Sequence, residues 1–392
     1  MPVTLAKGVY WVGAIDWNLR DFHGYSTHRG STYNAYLVVD EKVALIDTVK
    51  APFAGEMLGR IREIIDPARI DYVISNHVEM DHSGSLPEIM KIAPGAKLFT
   101  TERFGEQGLK KCYQCDWPMT PVREGSELSL GKRKVLFIPI PMLHWPDSMC
   151  SYLAEDEILF PNDGFGQHLA SSGRFDDEED FSVVMWEAQK YYANILMPFG
   201  PLVLKAIDKL KPVPIKVIAP SHGIIWRSRV ADIVGAWAKW AAGGGEKRAV
   251  IVYESMWGST EKMARAIAGG LESKGVRYNL YDLVKNDRSD IVADILTARG
   301  LLVGAATMNN GYTPRIAALL SYLKGLKPAG KLGAAFGSFG WGGGAVKAVE
   351  AELLSAGVAL AAAGLGLRFV PDPAEIEQCK AFGQAIADKL DS

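Results

Sequence analysis

The apolar run "IDYVISN" (residues 70–76) ends in "HVEMDHSGS" (77–85), and this junction constrains the chain more than any other feature. The run reads as a buried strand. Its end carries His77, Glu79, Asp81 and His82 within six positions. In an extended loop side chains alternate with period two, so His77, Glu79 and Asp81 project to one side. His82, next to Asp81, turns towards a second ion beside the first. The spacing therefore suits two metal ions. Three later loops, each directly after an apolar strand, offer the groups that close such a site: His144 in "PMLHWPDS", Asp163 in "FPNDGFGQH" and His222 in "APSHGII". A merely solvated charge cluster would need neither a strand-end position nor strand-end partners downstream. The set amounts to four imidazoles and three carboxylates, in which Asp163 can bridge two ions.

Strands and helices surround this platform. "YNAYLVVD" and "KVALIDTV" read as two strands joined by the turn "DEK", and "GEMLGRIREII" has helical spacing. Strands follow at "KVLFIPI", "MCSYLAE", "EILFPND" and "IKVIAPSHG", with helices at "ANILMPFGPLVLKAIDKL" and "SRVADIVGAWAKWAA". The latter runs into "GGGEKR", a domain joint by composition. With 392 residues the chain is too long for one ordinary domain, and the joint divides it into 1–245 and 246–392.

After the joint the rhythm becomes strand, loop, helix, which means a parallel, doubly wound sheet. "VYESMWGSTEKMA" places Ser255, Met256, Trp257, Gly258, Ser259 and Thr260 between a strand and a helix. Small hydroxyls and free amides at a helix N-terminus suit a phosphate. The loop is neither a Walker A sequence nor a dinucleotide fingerprint. Two more loops follow strands: Thr307, Met308, Asn309, Asn310 and Gly311 in "TMNNGYTP", and Ser338, Phe339, Gly340, Trp341, Gly342 and Gly343 in "SFGWGGG". Ligands of open α/β sheets bind outside such strand ends. Trp257, Tyr312, Phe339 and Trp341 are placed to flank a flat ring, while the glycines admit its polar edge.

Bulk properties narrow the function. The 43 basic and 45 acidic residues nearly cancel to −2, which argues against a nucleic-acid binder. No apolar run is long enough to span a bilayer and no signal-type leader opens the sequence, so the cytoplasm is the expected location. The 4 cysteines are too few for a disulfide framework, and the lone C-x-x-C of Cys112 and Cys115 cannot complete a four-cysteine metal site.

H-x-E-x-D-H followed by spaced His, Asp and His resembles the metallo-β-lactamase fold, where H-x-H-x-D-H is usual. Glu79 in place of the second histidine resembles the flavodiiron proteins, or A-type flavoproteins, and the 255–260 loop resembles the FMN loop of flavodoxins. The likeness runs over nearly the whole chain. It implies a metallo-β-lactamase-like αββα sandwich followed by a flavodoxin-like doubly wound parallel sheet. It further implies a non-haem diiron centre: His77, Glu79 and His144 on one iron, Asp81, His82 and His222 on the other, and Asp163 between. Family members vary in whether the imidazole at the His82 position reaches the metal. A hard carboxylate at position 79 favours iron over a nitrogen-rich dizinc site and offsets the charge of a ferric pair. The stretch "DWNLRDFHGYSTHRGSTYNAYL" also resembles the family and implies His23 and Tyr25 near the open face. The implied activity is reduction of dioxygen to water, nitric oxide to nitrous oxide, or both. Electrons would come from a separate rubredoxin or another reductase through FMN, in a head-to-tail homodimer or a dimer of dimers. The alternatives are a dizinc hydrolase fused to a flavodoxin-like domain, and an electron carrier with a decayed metal site.

Overall fold

A computed structural model describes residues 1–390 of the chain. They form two compact units, residues 1–191 with 201–238, and residues 192–200 with 239 onward.

The first unit is built on two sheets. The seven-stranded sheet runs in the order Val3–Ala6, Val9–Trp11, Tyr36–Val39, Val43–Ile46, Tyr72–Ile74, Lys97–Thr101, Met119–Val122. The five-stranded sheet runs Glu127–Ser129, Lys134–Pro139, Met149–Leu153, Ile158–Phe160, Val217–Ile218. Alternation assigns the faces. Tyr36, Val38, Ala44, Ile46 and Ile74 point to the second sheet and meet Val135, Phe137, Met149 and Phe160. Leu37, Val43, Leu45 and Val73 point the other way, onto helices that include Ala54–Arg62 and Leu86–Ile92. Both faces of the Tyr36–Ile46 hairpin are therefore buried, and its register (Tyr36 opposite Ile46, Val39 opposite Val43) is fixed from both sides.

The second unit carries one six-stranded parallel sheet, with Glu246–Glu254 between Arg277–Asp282 and Ala298–Ala305, then Leu332–Phe339 and the short last strands. In chain order this is 2-1-3-4-5, the flavodoxin arrangement. Ala249, Ile251 and Tyr253 pack one face against helices Ser259–Ser273 and Pro373–Leu390. The glycine run 243–245 is held on this unit: Gly244 N donates to Ala329 O (3.3 Å), and buried Lys331 Nζ donates to Gly244 O (3.1 Å) and Leu296 O (2.7 Å). No helix among the described residues is long and apolar enough to cross a membrane.

Candidate metal centre and phosphate-binding cleft

Strand Tyr72–Ile74 ends at the loop that delivers His77. The extended conformation expected for residues 77–82 holds only as far as Glu79, which caps a short helix, Met80–Ser83. Asp81 and His82 thus arrive on a helical turn, and period-two alternation does not govern them. His144 and Asp163 follow the strands Lys134–Pro139 and Ile158–Phe160, and His222 follows Val217–Ile218.

All four imidazoles present Nε2 inward. His77 Nε2 and His144 Nε2 each lie 3.3 Å from Glu79 Oε2, and 3.7 and 3.4 Å from Asp163 Oδ2. His82 Nε2 lies 3.3 Å from Asp81 Oδ2 and 3.1 Å from Asp163 Oδ1, and His222 Nε2 lies 3.1 and 3.6 Å from the same atoms. One oxygen of Asp163 thus faces each group, and the ligand atoms within each group lie within 4.8 Å of one another.

The donor set fits cations better than it fits itself. Both Asp81 oxygens, Asp163 Oδ2 and both His82 nitrogens are buried without a hydrogen-bond partner, although they approach one another. Lone pairs that converge on a common point, rather than on hydrogens, are a ligand arrangement. In the metal-free protein neighbouring carboxylates favour the protonated forms of His77, His82 and His144. Burial lowers the pKa of His77, but hydrogen bonds to Asp147 and Glu79 outweigh it and push it to about 10. Burial likewise opposes charge on His82, which Asp81 and Asp163 raise to about 9. Burial also raises Asp163, yet His82 and His144 hold it well below the carboxylate range. A metal ion competes with these protons, so its binding releases them.

The groups that orient the ligands come from outside the motif. Asp147 accepts from His77 Nδ1 (3.0 Å) and Val78 N (2.8 Å). His222 Nδ1 donates to Thr32 O (2.6 Å). Asp47 accepts from Asn76 N, Asn76 Nδ2 and Asn162 Nδ2, pinning the residues before both His77 and Asp163. Such partners fix the tautomer and angle of the ligands. Sequence reading passed over all three, although Asp147 shares the His144 loop and Asp47 ends a strand. His23 Nε2 lies 2.9 Å from Glu79 Oε1, with its side chain 70% exposed at the mouth of the site. Tyr25 follows His23 by two residues. Its ring packs on His168 (centroids 5.4 Å apart), a buried histidine that sequence reading also missed and that lies 4.7 Å from the His222 ring. Burial, and then His222, keeps His168 well below its ordinary pKa. Cys112 and Cys115 are free thiols outside both ligand groups, and burial raises the Cys112 pKa.

In the second unit a cavity of about 640 Å³ opens at the strand ends. Met256, Trp257, Ser259, Thr307, Asn309, Asn310, Ser338, Phe339, Gly340, Trp341 and Gly342 line it, joined by Ala306, Phe369 and Val370. Ser255, Gly258, Thr260, Met308, Gly311 and Gly343 belong to the same three loops but are not among the lining residues. Ser255 Oγ accepts from Gly258 N (3.0 Å), and Thr260 Oγ1 meets Ser338 Oγ (3.1 Å). Tyr312 lies outside the lining and donates to Glu352 (3.4 Å). Helix Ser259–Ser273 begins at Gly258 (φ 83°) with no side-chain cap. Ser259, the first residue of that helix, lines the cleft, and uncapped amides at a helix start suit an anion. Trp257 and Trp341 stand on the rim, each 92% exposed.

Comparison with known proteins places both halves of the chain in known families. Residues 32–223 match the model of the ODP family beta lactamase, and residues 251–383 match flavodoxin. The chain is 49% identical to a nitric oxide reductase of Moorella thermoacetica, over 99% of both chains. It superposes on the rubredoxin oxygen:oxidoreductase of Desulfovibrio gigas with a TM-score of 0.97 and 42% identity, covering 100% of this chain and 99% of that one. The flavodiiron protein of Giardia intestinalis gives 0.96 and 36%, covering 100% and 97%.

Proposed function

The chain belongs to the flavodiiron proteins, and from that premise we propose that it passes electrons from an external donor through FMN to a non-haem diiron centre that reduces nitric oxide to nitrous oxide, dioxygen to water, or both. The observation that carries the reading is a pair of adjacent ligand groups with Asp163 within reach of both, in one chain with a flavin-sized cleft. His77, Glu79 and His144 would hold one iron, Asp81, His82 and His222 the other, with Asp163 common to both. When bound, the irons supply a gas-binding electron store, and FMN supplies a two-electron store that releases electrons singly.

The chain's own groups do the rest. Asp147 and the Thr32 carbonyl keep Nε2 of His77 and His222 directed inward. Reduction consumes protons, and His23, exposed to solvent and in contact with Glu79 Oε1, is placed to deliver them at that face. Tyr25 supports this face through His168. In the cleft the Ser255–Thr260 loop holds the phosphate, and Trp257, Phe339 and Trp341 bound the ring. Residues 1–245 serve as the diiron domain and 246–392 as the FMN domain, apart from residues 192–200 and 239–245, which pack with the second unit; the family matches fall within these bounds. The name of the Desulfovibrio relative makes a separate rubredoxin the first donor to test. A head-to-tail homodimer brings the flavin of one chain to the irons of the other, since a two-fold interface makes both junctions at once. Free cysteines suit the cytoplasm.

Metal and flavin analysis of protein from iron-replete cells tests the assignment. Two irons and one FMN per chain are expected. A fully active sample with stoichiometric zinc would overturn it.

A further inference from the structure

The residues over the mouth of the metal centre sit on a very short hairpin. Asp21–Phe22 pairs with Tyr25–Ser26, and His23 and Gly24 form the turn with φ of 56° and 78°. Two successive positive φ values match the twist of such a hairpin, but at His23 the left-handed conformation is adopted without glycine's freedom. Even longer hairpins are marginal alone, so this one depends on what it rests against.

Contacts at its tip and on both strands hold it. At the tip, His23 Nε2 meets Glu79 Oε1 at 2.9 Å. On the first strand, Phe22 packs on His168 with centroids 5.1 Å apart. On the second strand, Lys190 of helix Phe181–Tyr191 donates to Ser26 Oγ (3.3 Å), with Nζ 5.6 Å from the centre of the Tyr25 ring. Lys190 is 0% exposed, an uncommon place for an ammonium. One turn earlier on the same helix, buried Glu187 meets Arg29 Nε at 3.3 Å. The helix thus grips the hairpin and the segment just beyond it at two points of opposite charge, three residues apart on one face.

We infer that Lys190 is a positioning residue for the metal centre. Its ammonium fixes the Tyr25–Ser26 strand through a hydrogen bond and the aromatic face. The hairpin carries that constraint to its tip, and His23 is thereby kept on Glu79. The catalytic consequence rests on the reading of Glu79 as an iron ligand, whereas the clamp itself does not.

Two measurements on the full-length, iron- and FMN-loaded protein test this. The first is amide hydrogen exchange across residues 20–27 in Lys190→Met, Lys190→Arg and Ser26→Ala. Exchange should quicken most in Lys190→Met, less in Ser26→Ala, and least in Lys190→Arg, which keeps the charge. The second is a double-mutant cycle between Lys190→Met and His23→Ala. Each single change should lower turnover roughly tenfold, as loss of an outer-shell partner does, with KM for the donor unchanged. The pair should be no worse than His23→Ala alone, and both singles should alter the EPR signal of the half-reduced iron pair alike. Unchanged exchange in Lys190→Met overturns the clamp. Quickened exchange with additive losses of turnover overturns its link to His23. Should the wild type reduce neither gas, the functional reading fails, and hydrogen exchange alone then decides the clamp.

Discussion

The metal centre and the flavin cleft are built in opposite ways. At the metal centre the candidate ligands are side chains, and five of the seven are buried: His77 is 0%, His82, Asp163 and His222 1%, and Asp81 5% exposed, with Glu79 and His144 only partly covered. Further groups orient them, among them Asp147 for His77 and the Thr32 carbonyl for His222. At the cleft the binding elements are loop backbone, helix amides and exposed rings, with Asn309 and Asn310 at φ of 50° and 60° and two rim tryptophans almost wholly in solvent. The first design fixes geometry before the ligand arrives and loses it if one group is removed. The second spreads binding over many weak contacts and tolerates single losses. Redox metals that must hold one geometry through changes of charge need the first. A flavin that exchanges electrons with a partner must stay reachable and needs the second.

The contrast breaks most visibly at Asp163. Asp163→Ala removes the shared ligand, so both irons should be lost and gas reduction should fall by more than about a hundredfold, beyond the loss of an outer-shell partner. Flavin content should be unchanged, and loss of flavin in this variant would mean the two sites are not independent.

A buried charge in the second unit has a different use. Burial, and then Arg248, pulls the Lys331 ammonium from 10.5 down to about 7. Its folded pKa lies below its unfolded one, so between these values the unfolded chain binds more protons. Stability should therefore rise with pH from about 7 to about 10.5, on the order of a few kcal/mol, and fall as pH drops through that window. Lys331→Met should flatten the rise in melting temperature across this window. An unaltered slope would show that the ammonium is better solvated than its position on Gly244 and Leu296 implies.

Asp147→Asn sharpens the contrast by touching no metal. It should cost about 10- to 100-fold in iron affinity or turnover, measured by competition with a chelator, while the melting temperature of the loaded protein moves little. The smallest effect belongs to the cleft. Trp341→Ala should weaken FMN by about 1 kcal/mol, roughly fivefold in Kd, read by flavin fluorescence. Complete loss of FMN would show that the cleft is as brittle as the metal centre.

What the sequence revealed follows the same division. The seven ligand candidates were legible because each sits at or just beyond a strand end, where local pattern fixes where the chain goes. The flavin loops were legible for the same reason. Phe369 and Val370 were not, because the strand before them, Leu365–Arg368, is short and no glycine-rich loop marks it. Asp47 pins Asn76 and Asn162, the residues before two ligand candidates, and the Thr32 carbonyl meets His222; these contacts lie far along the chain, and no local spacing encodes them. Residues 192–200 also escaped notice. "ANILMPFGPLVLKAIDKL" has one helical rhythm, yet Pro198 falls in a break between a π turn (Tyr192–Leu196) and helix Gly200–Leu210, and the part before that helix belongs to the second unit.

The central claim is that gas is reduced at the metal centre with electrons from the flavin. The most direct measurement is a rapid anaerobic mix of chemically reduced, fully loaded protein with nitric oxide, and separately with dioxygen, in wild type and in Asp163→Ala. The wild type should reoxidise its flavin within turnover time, yielding nitrous oxide from the first gas or water without peroxide from the second. Asp163→Ala should keep its flavin reduced under nitric oxide and release peroxide under dioxygen, as an unassisted flavin does. Equal rates and equal products from the two proteins would place the chemistry on the flavin and contradict the account.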